Sequence, residues 1–142
     1  MRAHNVHVTH DFAKPVDRIF NHLSEHENLA EVFGAKVTRL KDGDSERNGV
    51  GSVRKLQVGP LPPFEETVTD FRPNEKIVYT ITKGSPIRDH LGVMTFSERP
   101  GGGSTLDYTI RLGSAVPGLA LIVKVALTKS IDDALPEVDE RA

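Results

Sequence analysis

The chain has 142 residues, 37% hydrophobic and 27% charged, the balance of one globular domain spanning 1–142. Eighteen Lys and Arg against twenty Asp and Glu give a net charge of −2, which excludes the broad basic field a nucleic-acid partner needs. With no cysteine there is no disulfide framework, thiol nucleophile or thiolate zinc site, and a reducing compartment, the cytoplasm, is the expected location.

Met1-Arg2-Ala3-His4-Asn5 enters an alternating pattern at once and lacks the apolar stretch of an export signal. Over residues 4–13, Val6, Val8, His10 and Phe12 alternate with Asn5, His7, Thr9 and Asp11, which predicts a half-buried first strand. Pro15 suits a first helical turn, and Val16, Ile19, Phe20 and Leu23 recur at steps of three and four, giving a short helix over about 15–23. Ser24 is expected to cap a second helix carrying Leu29, Val32 and Phe33 and stopping at Gly34. Six strands then follow as a meander: Val37–Leu40, Val50–Val58, Phe64–Phe71, Lys76–Lys83, Asp89–Glu98 and Leu106–Leu112, separated by Gly- and Pro-rich turns. After Gly118 the period returns to 3.6, with Leu121, Val125, Thr128, Ile131 and Leu135 on one broad face and Pro136 expected to end or kink the helix. The apolar run from Gly118 to Leu127 contains Lys124 and is far shorter than the roughly 20 residues that span a bilayer, so no stable membrane insertion is expected.

This order predicts an α+β domain in which a curved seven-stranded antiparallel sheet is wrapped round a long C-terminal helix, with two short helices after strand one. A strongly twisted sheet closed by one helix leaves an elongated apolar space, the geometry of a small-molecule container.

The order, together with Phe12-Ala-Lys-Pro-Val-Asp-Arg-Ile-Phe20, Glu65-Glu-Thr-Val-Thr-Asp-Phe-Arg-Pro73, Ile77-Val-Tyr-Thr and Gly101-Gly-Gly-Ser-Thr-Leu-Asp-Tyr108, resembles the SRPBCC or START-like superfamily over nearly the whole chain. More narrowly it is similar to the bacterial polyketide cyclase/dehydrase and lipid transport group. The resemblance implies a helix-grip fold with a deep apolar pocket, whose contents vary among members from lipids and sterols to polyketides. On that fold Leu106, Tyr108 and Ile110 point inward with His90, Met94 and Phe96, and Tyr79 and Ile81 join them. Phe33, Leu61, Val68, Leu121 and Val125 complete the expected ligand-binding set. Gly59-Pro-Leu-Pro-Pro63 also resembles the gate loop of plant abscisic-acid receptors, although three prolines in a stiff connection account for it equally.

His90, Tyr79 and Tyr108 are the candidate catalytic residues, because polar groups among Met, Phe and Ile can orient a ligand or move a proton, though such groups more often satisfy a hydrogen bond. Lys36, Arg39, Arg54 and Lys55 could include an anchor for a ligand carboxylate. Glu65 and Glu66 point to opposite faces, so only one can enter the cavity. His22-Leu-Ser-Glu-His26 matches the H-x-x-E-H zinc pattern, but a helix break at Ser24 splits the pair, and two solvated histidines are the expected state. His4, His7 and His10 cannot converge at period two, and no metal site is predicted. G-x-S-x-G, P-loop and dinucleotide motifs do not occur.

The expected partner is a hydrophobic small molecule such as a lipid, fatty acid or polyketide-like compound, bound without a cofactor by a monomer or homodimer. The alternatives are a polyketide cyclase, aromatase or dehydratase on the same scaffold, and a partner-binding domain with a vestigial pocket.

Overall fold

The computed structural model describes residues 3–142; Met1 and Arg2, part of the stretch read for an export signal, lie outside the described residues. One seven-stranded antiparallel sheet carries the molecule, in the order β1-β7-β6-β5-β4-β3-β2. Its strands are β1 Ala3–Phe12, β2 Lys36–Lys41, β3 Val53–Gln57, β4 Phe64–Arg72, β5 Lys76–Lys83, β6 Ile87–Glu98 and β7 Ser104–Ser114. The helices are α1 Val16–Ser24, α2 Leu29–Phe33 and α3 Leu119–Arg141, with a 3₁₀ turn at His26–Asn28. The meander β2 to β7 is completed by the first strand, which lies beside the last from Ala3↔Gly113 to Phe12↔Ser104.

The alternation in β1 buries Val6, Val8 and Phe12, and the period-3.6 face of α1 buries Val16, Ile19, Phe20 and Leu23. Pro15 enters α1 with φ −63° and ψ 157°, and the amides before it, Ala13 N–H and Lys14 N–H, donate to the Asp139 carboxylate of α3 at 2.8 and 3.1 Å. Ser24 does not cap a new helix. It is the last residue of α1 and donates to the Asn21 carbonyl at 3.2 Å, and the chain then turns through extended Glu25 into the 3₁₀ turn. Gly34 ends α2 at φ +63°, and a Cβ there would also meet Ser130 Oγ of α3 at 3.2 Å, so glycine answers both a left-handed backbone and a close approach.

β3 begins at Val53 rather than Val50, because Gly49 to Ser52 fold into a turn closed by the Ser52 N–H donating to the Gly49 carbonyl at 3.1 Å. β6 starts earlier than its periodicity suggests, at Ile87, because a bulge between Arg88 and Leu91 carries the chain past Asp89, whose φ is +54°. β5 and β6 pair only from Lys76↔Thr95 to Tyr79↔Gly92 and splay apart beyond that point.

α3 runs on through Pro136 to Arg141, because that residue sits on the solvent side and only one backbone donor is lost. Its expected single apolar stripe divides in two. The second half buries Ile131, Ala134, Leu135 and Val138, each large side chain worth about 1.5–3 kcal/mol of transfer free energy. In the first half Ala120 is buried, while Leu121, Ile122 and Val125 are 50%, 67% and 63% exposed. Among the described residues no helix is long and apolar enough to cross a membrane.

Candidate functional site

By strict alternation β3 turns Arg54 and Leu56 inward, and Ser52, in the turn that precedes the strand, is buried as well. Arg54 lies opposite Glu66 of β4 in the ladder, and both side chains are buried. Arg54 Nε donates to Glu66 Oε1 at 2.8 Å; Nη2 lies 2.8 Å from the same oxygen but is poorly aligned and has no hydrogen-bond acceptor. The guanidinium stacks 4.6 Å from the ring centre of Tyr79 and 5.7 Å from that of Phe33. Of the two adjacent glutamates it is therefore Glu66 that turns inward, and Glu65 pairs in register with Lys83.

His90 approaches the same carboxylate from β6, with Nε2 3.8 Å from Glu66 Oε2. Its Nδ1 accepts the Ile81 N–H at 3.0 Å, and its own carbonyl accepts Thr80 Oγ1–H at 2.7 Å, so the histidine replaces the ladder where β5 and β6 separate. A neutral ring bonded in this way carries its proton on Nε2, facing Glu66. Burial lowers its pKa, with Glu66 acting against that shift and Arg54 adding to it, so the neutral form holds at pH 7.

Tyr79 and Tyr108 are both fully buried and their hydroxyls are hydrogen-bonded to each other. Burial pushes both phenols above their ordinary range, so they are neutral donors and not bases. In a pair of phenols one proton bridges the two oxygens and the other remains available. Gly92 makes this arrangement possible: a Cβ there would stand 2.2 Å from Tyr79 Cζ.

Val68, Met94, Phe96 and Ile110 are buried in the hydrophobic core, and Phe33 packs on Tyr79 at 6.3 Å. Leu61, Leu121 and Val125 stand on the surface, and Ile81 is half-buried. The expected ligand-lining residues thus fall into an inner packed set and an outer set at the loops. Open volume lies in a pocket of about 370 Å³ where β5 and β6 splay, lined by residues 80–85 and 87–90, His90 among them, and in an open groove of about 490 Å³ on α3 beside Val125. The Gly59–Pro63 loop is held by Gln57, whose side-chain amide donates to the Leu61 carbonyl at 2.7 Å.

Of the four cations considered as anchors, Arg54 alone is buried; Arg39 is bound by Glu25, Glu27 and Asn48, and Lys36 is exposed. The H-x-x-E-H residues do not form a site. Glu25 is held by Arg39, Arg47 and Asn48, and His26 is not solvated but 1% exposed, in the 3₁₀ turn. Because Ser52 Oγ donates to the Gly49 carbonyl at 2.7 Å, His26 Nε2–H donates to Ser52 Oγ at 3.0 Å and Nδ1 is left buried without a partner. Burial, then Arg54 and Arg39, lower its pKa to about 3. Sequence reasoning missed this pair, since a serine in the turn before a strand and a histidine in a 3₁₀ turn carry no mutual signal. Among the described residues no group of three or more His, Asp or Glu converges as a metal site.

The family model described as polyketide cyclase / dehydrase and lipid transport matches residues 3–142. A START superfamily protein from Mycobacterium smegmatis has a similar structure, with TM-score 0.77 at 15% identity over 97% of this chain and 96% of that one. The Zhui aromatase/cyclase from Streptomyces sp. R1128 superposes with TM-score 0.73 at 19% identity over 99% of this chain and 93% of that one. An uncharacterised protein from Rhizobium leguminosarum gives 0.66 at 16% identity over 99% and 97%. At these identities the likeness is one of fold. No curated protein matches the chain significantly.

Proposed function

The chain belongs to the polyketide cyclase / dehydrase and lipid transport family, and on that premise we propose that it binds a hydrophobic small molecule between the curved sheet and α3, with the ligand's polar end turned to Arg54. The observation that carries this reading is the buried guanidinium whose Nη2 has no acceptor of its own. That nitrogen shares Glu66 Oε1 with Nε at poor alignment, and a ligand oxygen would give it an aligned acceptor. Because Glu66 already balances the charge of Arg54, the spare donor suits a neutral carbonyl or hydroxyl oxygen better than the carboxylate anchor first considered. Burying about 300 Å² of ligand at roughly 25 cal/mol per Å² supplies on the order of 7 kcal/mol before ordering costs, enough for micromolar affinity. The ligand class is a lipid, fatty-acyl or polyketide-like compound, no cofactor is required, and the cytoplasm is the proposed place of action.

A second reading, a cyclase, aromatase or dehydratase, is favoured by His90. A neutral imidazole with Nε2–H beside Glu66, next to two neutral phenols, can polarise a carbonyl and exchange a proton with it.

Native mass spectrometry of gently purified protein, followed by extraction, tests both. A co-purifying hydrophobic molecule of fixed mass, displaced less tightly from the Arg54→Met/Glu66→Met double variant, is the expected result. A ligand recovered chemically altered after incubation favours the enzyme, and an empty protein that binds no member of a mixed hydrophobic library overturns the container.

A further inference from the structure

The large apolar side chains that remain exposed are unevenly placed. Leu40 and Val50 lie near the far end of β2, whereas Val58, Leu61, Val116, Leu121, Ile122 and Val125 gather at the opposite end of the molecule. The antiparallel register fixes that end: β3 finishes there at Gln57, β4 starts at Phe64, β5 finishes at Lys83, β6 starts at Ile87 and β7 finishes at Ser114. The connections touch. A Cβ on Gly84 would lie 2.8 Å from the Pro63 carbonyl oxygen, and Ser114 Oγ donates to the Pro86 carbonyl at 3.4 Å. The first turns of α3 follow directly from this corner.

Charge is asymmetric in the same sense. The segments that build this end, 34–37, 55–65, 82–90 and 111–125, carry Lys36, Lys55, Lys83, Arg88, Arg111 and Lys124 against Glu65 and Asp89, although the whole chain has a net charge of −2. Among the described residues none of those six cations takes part in an ion pair, although Lys55 and Lys83 flank Glu65 in the ladder; of the other cations eight are ion-paired and Lys14, Arg18 and Lys76 are not. Unpaired cations around exposed aliphatic side chains are the pattern of a surface that rests on anionic lipid: apolar groups enter the headgroup boundary while Lys and Arg meet the negative surface potential. Two copies meeting through this end would bring like charges together, which disfavours a dimer there.

We infer that this end of the molecule docks reversibly on an anionic bilayer surface through Leu61, Val116, Leu121 and Ile122, with Lys83 and Lys124 against the headgroups. The inference goes beyond the ligand reading, because it holds whether or not the interior is occupied. It also differs from helical insertion, since among the described residues no helix is long and apolar enough to cross a membrane.

The test is co-sedimentation of the whole chain with vesicles of phosphatidylcholine alone and with about one third phosphatidylglycerol. The expected result is at least about tenfold stronger partitioning onto the anionic vesicles at low salt, most of it lost at about 0.5 M salt, where charges a few ångströms apart are screened. Leu121→Glu/Ile122→Glu should abolish it and Lys83→Gln/Lys124→Gln should weaken it severalfold. All four side chains lie at the surface or half-buried, so the variants should unfold at the parent temperature, which separates lost docking from lost fold. Failure to sediment with anionic vesicles, or sedimentation unchanged in the Leu121/Ile122 variant, overturns the inference. Sedimentation equilibrium showing a dimer that this variant disperses, without vesicle binding, would give the surface to a second copy instead.

Discussion

At the end of the sheet where β1 stops and α3 finishes, Phe20 packs between Phe71 and Phe96 at 5.3 and 5.0 Å, and Ile131, Leu135 and Val138 close the helix over them. Toward the other end the same concave face holds Arg54, Glu66, His90 and two tyrosine hydroxyls, and the helix above them turns Leu121 and Val125 outward. One end is packed with apolar and aromatic side chains. The other buries an ion pair, which contributes little net stability when intact and is strongly destabilising when one partner is removed. The division separates an apolar packed end from an end that buries polar groups.

The comparison breaks most sharply at the ion pair. Arg54→Met should cost about 3–5 kcal/mol in urea unfolding, because Glu66 is left buried and uncompensated, and adding Glu66→Met should recover most of that loss. If the single variant is as stable as the parent, the pair is not desolvated as described. Leu135→Ala, at the packed end, should lose about 2–4 kcal/mol with no change in ligand affinity per folded molecule. A parallel fall in affinity would show that the two ends are one unit. Gly92→Ala is smaller and works at the boundary: the new methyl displaces the Tyr79 ring and should cost about 1–3 kcal/mol while weakening ligand binding.

pH is the reversible probe of the same comparison. His26 has its folded pKa lowered from 6.5 to about 3, so the unfolded chain binds the proton first. Stability is complete above about pH 6.5 and should fall as pH drops from there toward 3, by up to about 1.4 kcal/mol per unit. Burial of His90 acts in the same direction. Glu25, whose carboxyl is held down to about 2 by Arg47 and Asn48 against the opposing effect of burial, adds its own loss only below about 4.5. The slope between 6.5 and 4.5 therefore belongs to the buried histidines, and His26→Gln should reduce it while His90 keeps a remainder; an unchanged slope would mean that His26 takes up its proton as readily folded as unfolded.

Most of the architecture was legible because it rests on local periodicity. The alternation of Val6, Val8 and Phe12, the helical steps of Ile19 and Leu23, and the left-handed stop at Gly34 each depend on few residues and one dominant force. The site was legible in part. Tyr79, Tyr108 and His90 could be proposed from the fold that the resemblance implies together with strand parity, and Arg54 was one of four equivalent cations. Which cation turns inward depends on the ladder pairing Arg54 with Glu66, a relation across twelve residues that no single strand encodes. The divided stripe of α3 was illegible for a similar reason. Leu121 and Ile131 look alike on a helical wheel, and only the placement of the sheet decides which of them is covered.

The pairing of β1 with β7 has a consequence in time. Ala3 must find Gly113, and the sheet cannot be completed until nearly the whole meander exists. At about 5–20 residues per second on the ribosome, the first strand and its apolar side chains wait on the order of 5–20 seconds for a partner. Contacts so distant in sequence also place refolding among the slower single domains, in the millisecond-to-second range. An edge strand synthesised before the rest of its sheet and paired last is the segment most open to capture by chaperones or by other chains.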